Sequence, residues 1–401
     1  VTLGEHTSLF AGVDEVTFDS TVDTLASTDP LVATVPKSLT ISTTGGTTFN
    51  GAVGGVAGSA DVLTSLTTNT GGTLVMNAGT VTTTGEQTYG DAITLGADTT
   101  LTSTTGTLNF LSISDGPTAA WSLRTNTATA LVYGDVDIGG NLHVTTKAGG
   151  VSPRKVAHPT TQVMTPNTSL KIGGTSTFTA DTGTRQVAEV THPNNKFVGL
   201  LTLDQINGGS WADVSLTTDA PLTLGPLQSS GSVNVQTQGA LTTDTISTSG
   251  SVTLNSHGGR VSLGASTVSG NLTVETGGGA MAQTGQLVVT GDTSIQANAG
   301  TITLLDPLNS FGGSLALEGS QTSVATTGNL QLARVTNTGP MTLLAPKGSI
   351  DLGTAFITGG DLTLQSRDNM SLGGANITGN LNMSSTQGSV SFGQATVTGN
   401  L

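Results

Sequence analysis

The chain has 401 residues, of which 9% are charged and 3% aromatic; an ordinary globular domain carries about 25% charged residues. Gly accounts for 56 residues, Thr is commoner still and the hydrophobic share is 35%, which excludes a thick aromatic core, a helical bundle and a disordered chain. A net charge of -14 with pI near 4.4 opposes binding to nucleic acid or an anionic membrane. Val, Ile and Thr suit strands, while Gly, Asn and Asp suit the turns between them. A thin core repeated many times satisfies all of this. Cysteine is absent, and no apolar run reaches the length that spans a bilayer. No basic-then-apolar leader opens the sequence. Val1 and Leu401 both fall within the pattern, so a segment of a longer chain is expected.

In chain order, residues 1–37 are acidic and weakly periodic, read as irregular coils or the end of a preceding module. Residues 38–147 carry rung strands such as Ser38-Leu-Thr-Ile, Thr73-Leu-Val-Met and Thr107-Leu-Asn-Phe. Residues 148–200 combine rungs with basic, proline-rich excursions. Residues 201–401 are regular. From Gly231 onward a phrase of Gly, a small polar residue and alternating apolar positions recurs. It reads Gly231-Ser-Val-Asn-Val, Gly250-Ser-Val-Thr-Leu, Gly270-Asn-Leu-Thr-Val and Gly313-Ser-Leu-Ala-Leu, and continues to Gly379-Asn-Leu-Asn-Met. Most copies recur at about 20 residues, a period typical of solenoids. A longer gap separates Gly313 from Gly339. Second and third short strands follow each phrase, as at Arg260-Val-Ser-Leu and Ser266-Thr-Val, or Ala355-Phe-Ile, Ala375-Asn-Ile and Ala395-Thr-Val.

This pattern predicts an all-β parallel β-helix, a β-solenoid with about 20 residues per rung and a few loop excursions. Alternation turns every second side chain inward, and each rung buries its apolar face only against its neighbours. About 20 rungs stacked at ~4.8 Å would make a rod of roughly 95 Å. A longer repeat overlies the short one. Gly140-Asn-Leu-His-Val matches Gly270-Asn-Leu-Thr-Val, and Asn195-Lys-Phe197-Val-Gly199 matches Asn309-Ser-Phe311-Gly-Gly313. The second pair is offset by less than the first, so the first copy carries extra residues expected to loop off the stack.

The Gly-Asn-Leu-Thr-Val rungs, the Asn-x-Phe-x-Gly phrases and Gln87-Thr-Tyr89-Gly-Asp91-Ala-Ile-Thr-Leu resemble filamentous-haemagglutinin-like exoproteins over about residues 38–401. These are large bacterial adhesins exported by two-partner secretion. The resemblance implies a right-handed β-helical shaft on the cell surface or outside the cell. It also implies export through an outer-membrane barrel that reads regions outside this segment. The family's export domain carries Asn-Pro-Asn motifs, which this chain lacks, so the segment reads as shaft. The expected function is extracellular attachment in cell adhesion or a biofilm, through exopolysaccharide, surface glycans or proteins. Self-association into a filament is a further reading, because uncapped ends would expose pairing edges.

Candidate sites are sparse. Lys147, Arg154, Lys155, Lys171, Arg185 and Lys196 are half of the 12 basic residues. His158, His192 and four prolines lie in the same region, so 148–168 and 182–196 are expected to leave the rungs. Arg154, Lys155, His158, Arg185 and Lys196 would contact an anionic glycan or an acidic neighbour, or decorate the stack without a role. Trp121 and Trp211 would stack on sugars or plug distorted rungs. The competing reading is a carbohydrate-active β-helix enzyme, a lyase or hydrolase. Such an enzyme would show three or more convergent charged side chains in a cleft, and a shaft would not. Asp135 and Asp137 share a strand face and read as outer decoration, while Asp213 and Asp219 stand without a basic residue nearby. His6, His143, His158, His192 and His257 are scattered. There is neither a calcium repeat nor a phosphate loop, so no metal or cofactor is expected. The Thr excess reads as solvated strand surface, because Thr does not recur at fixed rung slots.

Overall fold

A computed structural model of the protein describes residues 1–27, 34–55, 59–128, 131–132, 134–146, 169–181, 185–353 and 356–401. The chain is an all-β parallel β-solenoid of about 17 turns with about 21 residues per turn, and no helix occurs among the described residues. Fewer turns form than the ~20 expected at the ordinary strand spacing, because some coils are longer than the repeat phrase implies. Two compact units divide the chain, residues 1–212 and 213–401.

The first unit is three-sided. Its first face stacks Thr7–Gly12, Ser38–Thr43, Ser65–Thr68, Gln87–Tyr89 and Leu108–Phe110. The second stacks Val16–Phe18, Gly46–Phe49, Thr73–Met76, Ile93–Leu95, Ser112–Ser114, Asp135–Ile138, Leu170–Ile172 and Lys196–Phe197. The third stacks Thr80–Thr83, Thr99–Ser103, Leu123–Thr127, Leu142–Thr146, Ser176–Asp181 and Leu201–Ile206. Coil length varies. Leu123 sits on Leu142, Leu142 on Ser176, and Ser176 on Leu201, and the coil from Leu142 to Ser176 is much the longest of the three. Residues 1–24 form short strands that belong to the stack. Thr7 is in register with Leu39, and Phe18 with Phe49, where the rings stack 5.1 Å apart. These coils escape the sequence repeat because Thr7 and Leu39 lie much further apart along the chain than one repeat phrase. Residues 185–190 form a strand, so 182–196 is not one continuous excursion. Its Gln186 is fully buried and bonds Thr146 through both ends of its amide.

The second unit is regular. Leu222, Leu241, Val261, Met281, Ile302, Thr322, Met341, Leu362 and Leu381 follow one another up a single interior column, each one repeat beyond the last. Nearly every member is aliphatic and below 4% exposed, and each buried aliphatic side chain contributes about 1.5–3 kcal/mol. Up to Phe311 each coil has three strands. Beyond it the face built from Leu227–Ser229, Ile246–Thr248, Ser266–Val268, Leu287–Val289 and Ser310–Phe311 ends. Coils then alternate shorter strands such as Leu362–Ser366 with the long strands Leu330–Asn337, Met370–Ile377 and Val390–Val397. This accounts for the wide gap between Gly313 and Gly339. The phrase at Gly313 enters the face of Leu315–Gly319, whereas the phrase at Gly339 enters the face of Met341–Ala345, and the two faces are different sheets. The expected third strands at Asn376 and Thr396 are the second halves of long strands.

Two devices tie coil to coil. Exposed turn side chains accept the backbone N–H of the next coil: Asp213 Oδ1 from Ser232, Asn271 Oδ1 from Asp292, and Asp292 Oδ1 from Ser314, at 2.8–2.9 Å. The Ser314 N–H and hydroxyl hold the Asp292 carboxyl below the usual carboxylate range. At inner corners buried hydroxyls bond turn carbonyls, as Thr83 to Gly85 and Thr237 to Gly239. Part of the Thr excess is therefore interior corner cement, which corrects the purely solvated reading. Glycine serves close approach here: a Cβ on Gly279 would lie 2.1 Å from the Gly259 carbonyl oxygen of the coil below.

Candidate functional site

On the third face of the first unit, alternation turns one side chain in two outward, and parallel register sets them in rows. One row runs Thr100, Arg124, His143, Thr177, Thr202. The next runs Thr102, Asn126, Thr145, Thr179, Asp204. Arg124 and His143 of the first row and the whole of the second, together with Asp181, line a groove of about 510 Å³, within the range of small-molecule sites.

Arg124 is exposed, His143 is half-buried, and Asp204 is exposed. His143 Nε2 lies 3.2 Å from Thr145 Oγ1. Burial and then the neighbouring Arg124 guanidinium push the imidazole pKa down, against a smaller opposing pull from Asp204. The neutral ring therefore predominates near pH 7. Asp181 is 4% exposed and accepts a 2.8 Å bond from Asn207. Thr179 is 3% exposed, and its hydroxyl has no hydrogen-bond partner. Trp211 is 2% exposed and donates its indole N–H to the Asp204 carbonyl at 3.1 Å. Of its two readings the burial fits the plug, because no indole face is open to a sugar; the ring instead braces the strand that carries Asp204. Among the described residues no group of three or more His, Asp or Glu is placed to hold a metal.

The other expected site residues do not assemble. Arg154, Lys155 and His158 lie outside the described residues, as does the whole of 148–168. Arg185 opens the strand Arg185–Val190. Lys196 is exposed on the second face, in register with Lys171, which pairs with Asp137 at 3.7 Å on the surface. Asp135 is engaged by the Ser169 N–H at 2.7 Å. Trp121 is 38% exposed, and its backbone N–H is held by Asp115. Sequence reasoning missed Arg124, Thr179, Asp181 and Asp204. Each stands at an outward position of a legible strand, but their neighbourhood depends on three successive coils of unequal length.

The fold and the groove define a class: a parallel β-solenoid with a long polar trough on one lateral face. A family model described as repeats of unknown function (DUF5649) matches residues 212–265 and 256–318, all but the first of them in the regular unit and all outside the trough. No curated protein and no solved structure matches the chain.

Proposed function

We infer that the chain is an extracellular bacterial attachment segment that holds carbohydrate, from an exopolysaccharide or a cell surface, along the third face of its first unit. The trough carries this reading. It is elongated, lined by hydroxyl, amide and charged groups, and built on strands rather than loops. Rows of donors and acceptors at the ~4.8 Å coil spacing suit a chain of hydroxyl-bearing sugar units. Weak contacts repeated between many copies at a surface add through effective concentration. The resemblance to exported adhesins supports placement at the cell surface.

The trough gathers Arg124, Asp181 and Asp204, the number of charged groups expected of the enzyme. They are spread along it rather than aimed at one point: Arg124 and Asp204 stand three coils, about 14 Å, apart. A hydrolytic second reading rests on Asp181 and Asp204. The pairings Thr179 with Asp204 and Asp181 with Ile206 place these two carboxylates on neighbouring coils, one outward position apart. Two carboxylates on one face are the groups that activate water beside a glycosidic bond.

The test is a glycan-array screen of the purified chain beside a form lacking 150–168, followed by adhesion of coated beads to the glycans retained. Retention of one or more glycans by the intact chain is expected. Retention of none overturns the attachment reading. New reducing ends in a retained glycan, abolished by Asp204→Asn, would establish the hydrolytic one.

A further inference from the structure

The trough is electrically polarised along its length. Arg124 stands near one end, and among the described residues its guanidinium has no ion pair; the ion pairs formed there are Lys171 with Asp137 and Arg367 with Asp368. Asp204 and Asp181 stand toward the other end. Between the poles the lining is uncharged: Asn126, Thr145, Thr179 and the half-buried His143. The chain as a whole is strongly acidic, at -14, so an anionic ligand would be repelled everywhere except beside an unneutralised cation.

Two observations point to an occupant. A planar guanidinium with five donors matches a carboxylate in paired hydrogen bonds, and no carboxylate of the described residues meets it. The Thr179 hydroxyl is buried, faces the trough and is unpartnered. Leaving such a group unsatisfied is costly, and a hydrogen-bonding ligand would recover that cost. The acidic pole has the opposite preference. Carboxylates accept hydrogen bonds and so suit sugar hydroxyls, while repelling a second acid group placed beside them.

Resting on the reading that the trough binds carbohydrate, we propose that it selects an acidic oligosaccharide of about three sugar units, with one uronate carboxylate on Arg124. Hydroxyls of the units further along donate to Asp204 and Asp181, and Thr179 bonds a ring or hydroxyl oxygen between them. The length follows from the ~14 Å that three coils span, close to three linked sugars.

The experiment is titration calorimetry of the full chain with two trisaccharides that each carry one terminal uronate on two neutral sugars, glucuronosyl-xylobiose and glucuronosyl-cellobiose, each beside its neutral methyl ester, at low and moderate salt. At least one acid trimer is expected to bind at least tenfold more tightly than its ester, with the preference shrinking as salt rises. Arg124→Gln should bring acid and ester to equal affinity. Arg124→Lys should keep part of the preference, since it retains the charge without the fork. Asp204→Asn should weaken both forms alike. Arg367→Gln, on the second unit, should change nothing, and urea midpoints would establish that each variant is folded. An ester that binds as tightly as its acid, or an Arg124→Gln chain that keeps the preference, overturns the acidic selectivity and leaves the carbohydrate reading standing. Binding of neither form overturns the selectivity, and an empty glycan array beside it overturns both.

Discussion

The two units solve the same packing problem with different tolerances. In residues 213–401 most coils keep close to the mean length of the solenoid, and one outward row runs Thr223, Thr242, Ser262 and Ala282, small groups that interchange. In residues 1–212 the coil between Leu142 and Ser176 far exceeds that mean, yet the strands on either side still meet in register. A solenoid fixes only what each rung offers its neighbours, so length added between strands is absorbed outside the core. The regular unit therefore reads as repeat and matches a repeat family, while the irregular one has room for particular side chains. The trough occupies the irregular stretch, built on the strands flanking the longest coil.

That contrast can be broken in graded steps. The largest effect should come from a device the units share. Asn195 and Asn309 are both fully buried; each accepts the N–H of a leucine in the preceding coil, Leu170 or Leu287, and donates to a nearby upstream carbonyl, Val190 or Leu304. Asn309 bonds Gln283 and the Ala325 carbonyl as well. Asn309→Ala or Asn195→Ala strands several buried groups and should cost about 4 kcal/mol in urea unfolding. Similar losses at the two positions would show that the units share one corner architecture. Next, Leu254→Ala in the regular unit should cost about 3 kcal/mol and leave glycan affinity untouched; a change in affinity would tie the trough to the wrong unit. Thr179→Val removes an unpartnered hydroxyl while keeping a similar shape. It should raise stability by about 1 kcal/mol while weakening oligosaccharide binding several-fold, and a clear loss of stability would mean that the hydroxyl serves the fold.

The smallest effect is on pH dependence. Burial lowers the His143 pKa in the folded chain, so the unfolded chain binds more protons and stability rises with pH. The stabilisation is complete above the unfolded value near about 6.5 and is lost as pH falls through the depressed folded value. His143→Gln should flatten this slope in urea titrations over about pH 5–7. An unchanged slope would show that the imidazole titrates as though in water.

Much of the architecture was legible in the sequence. Alternation at Gly250-Ser-Val-Thr-Leu gives the inward pair Val252 and Leu254, and the recurrence of that phrase gives the stack. The Asn-x-Phe-x-Gly match marked a real device, because Asn195 and Asn309 make the same inner corner. The trough was not legible. Arg124 and Thr179 are far apart in sequence, and nothing local to either says that Leu142 pairs with Ser176. Basic residues clustered in sequence drew attention to Lys171 and Lys196, which the coil places on a different face. Sequence proximity is a poor guide to surface proximity wherever coil length varies.

The exposed turn bonds carry a direction. Asp98 receives Ser122, Asn141 receives Thr175, Asn329 receives Ser349, Asp361 receives Asn380 and Asn380 receives Asn400. In each, the acceptor belongs to the earlier coil and the donor to the later one. In this exposed series a coil already displays the groups that its successor needs, while the buried Asn195 and Asn309 run the other way, each taking an N–H from the coil before it. Growth from the amino end can thus be templated at these turns one winding at a time, with each such inner corner closed only when the next coil arrives.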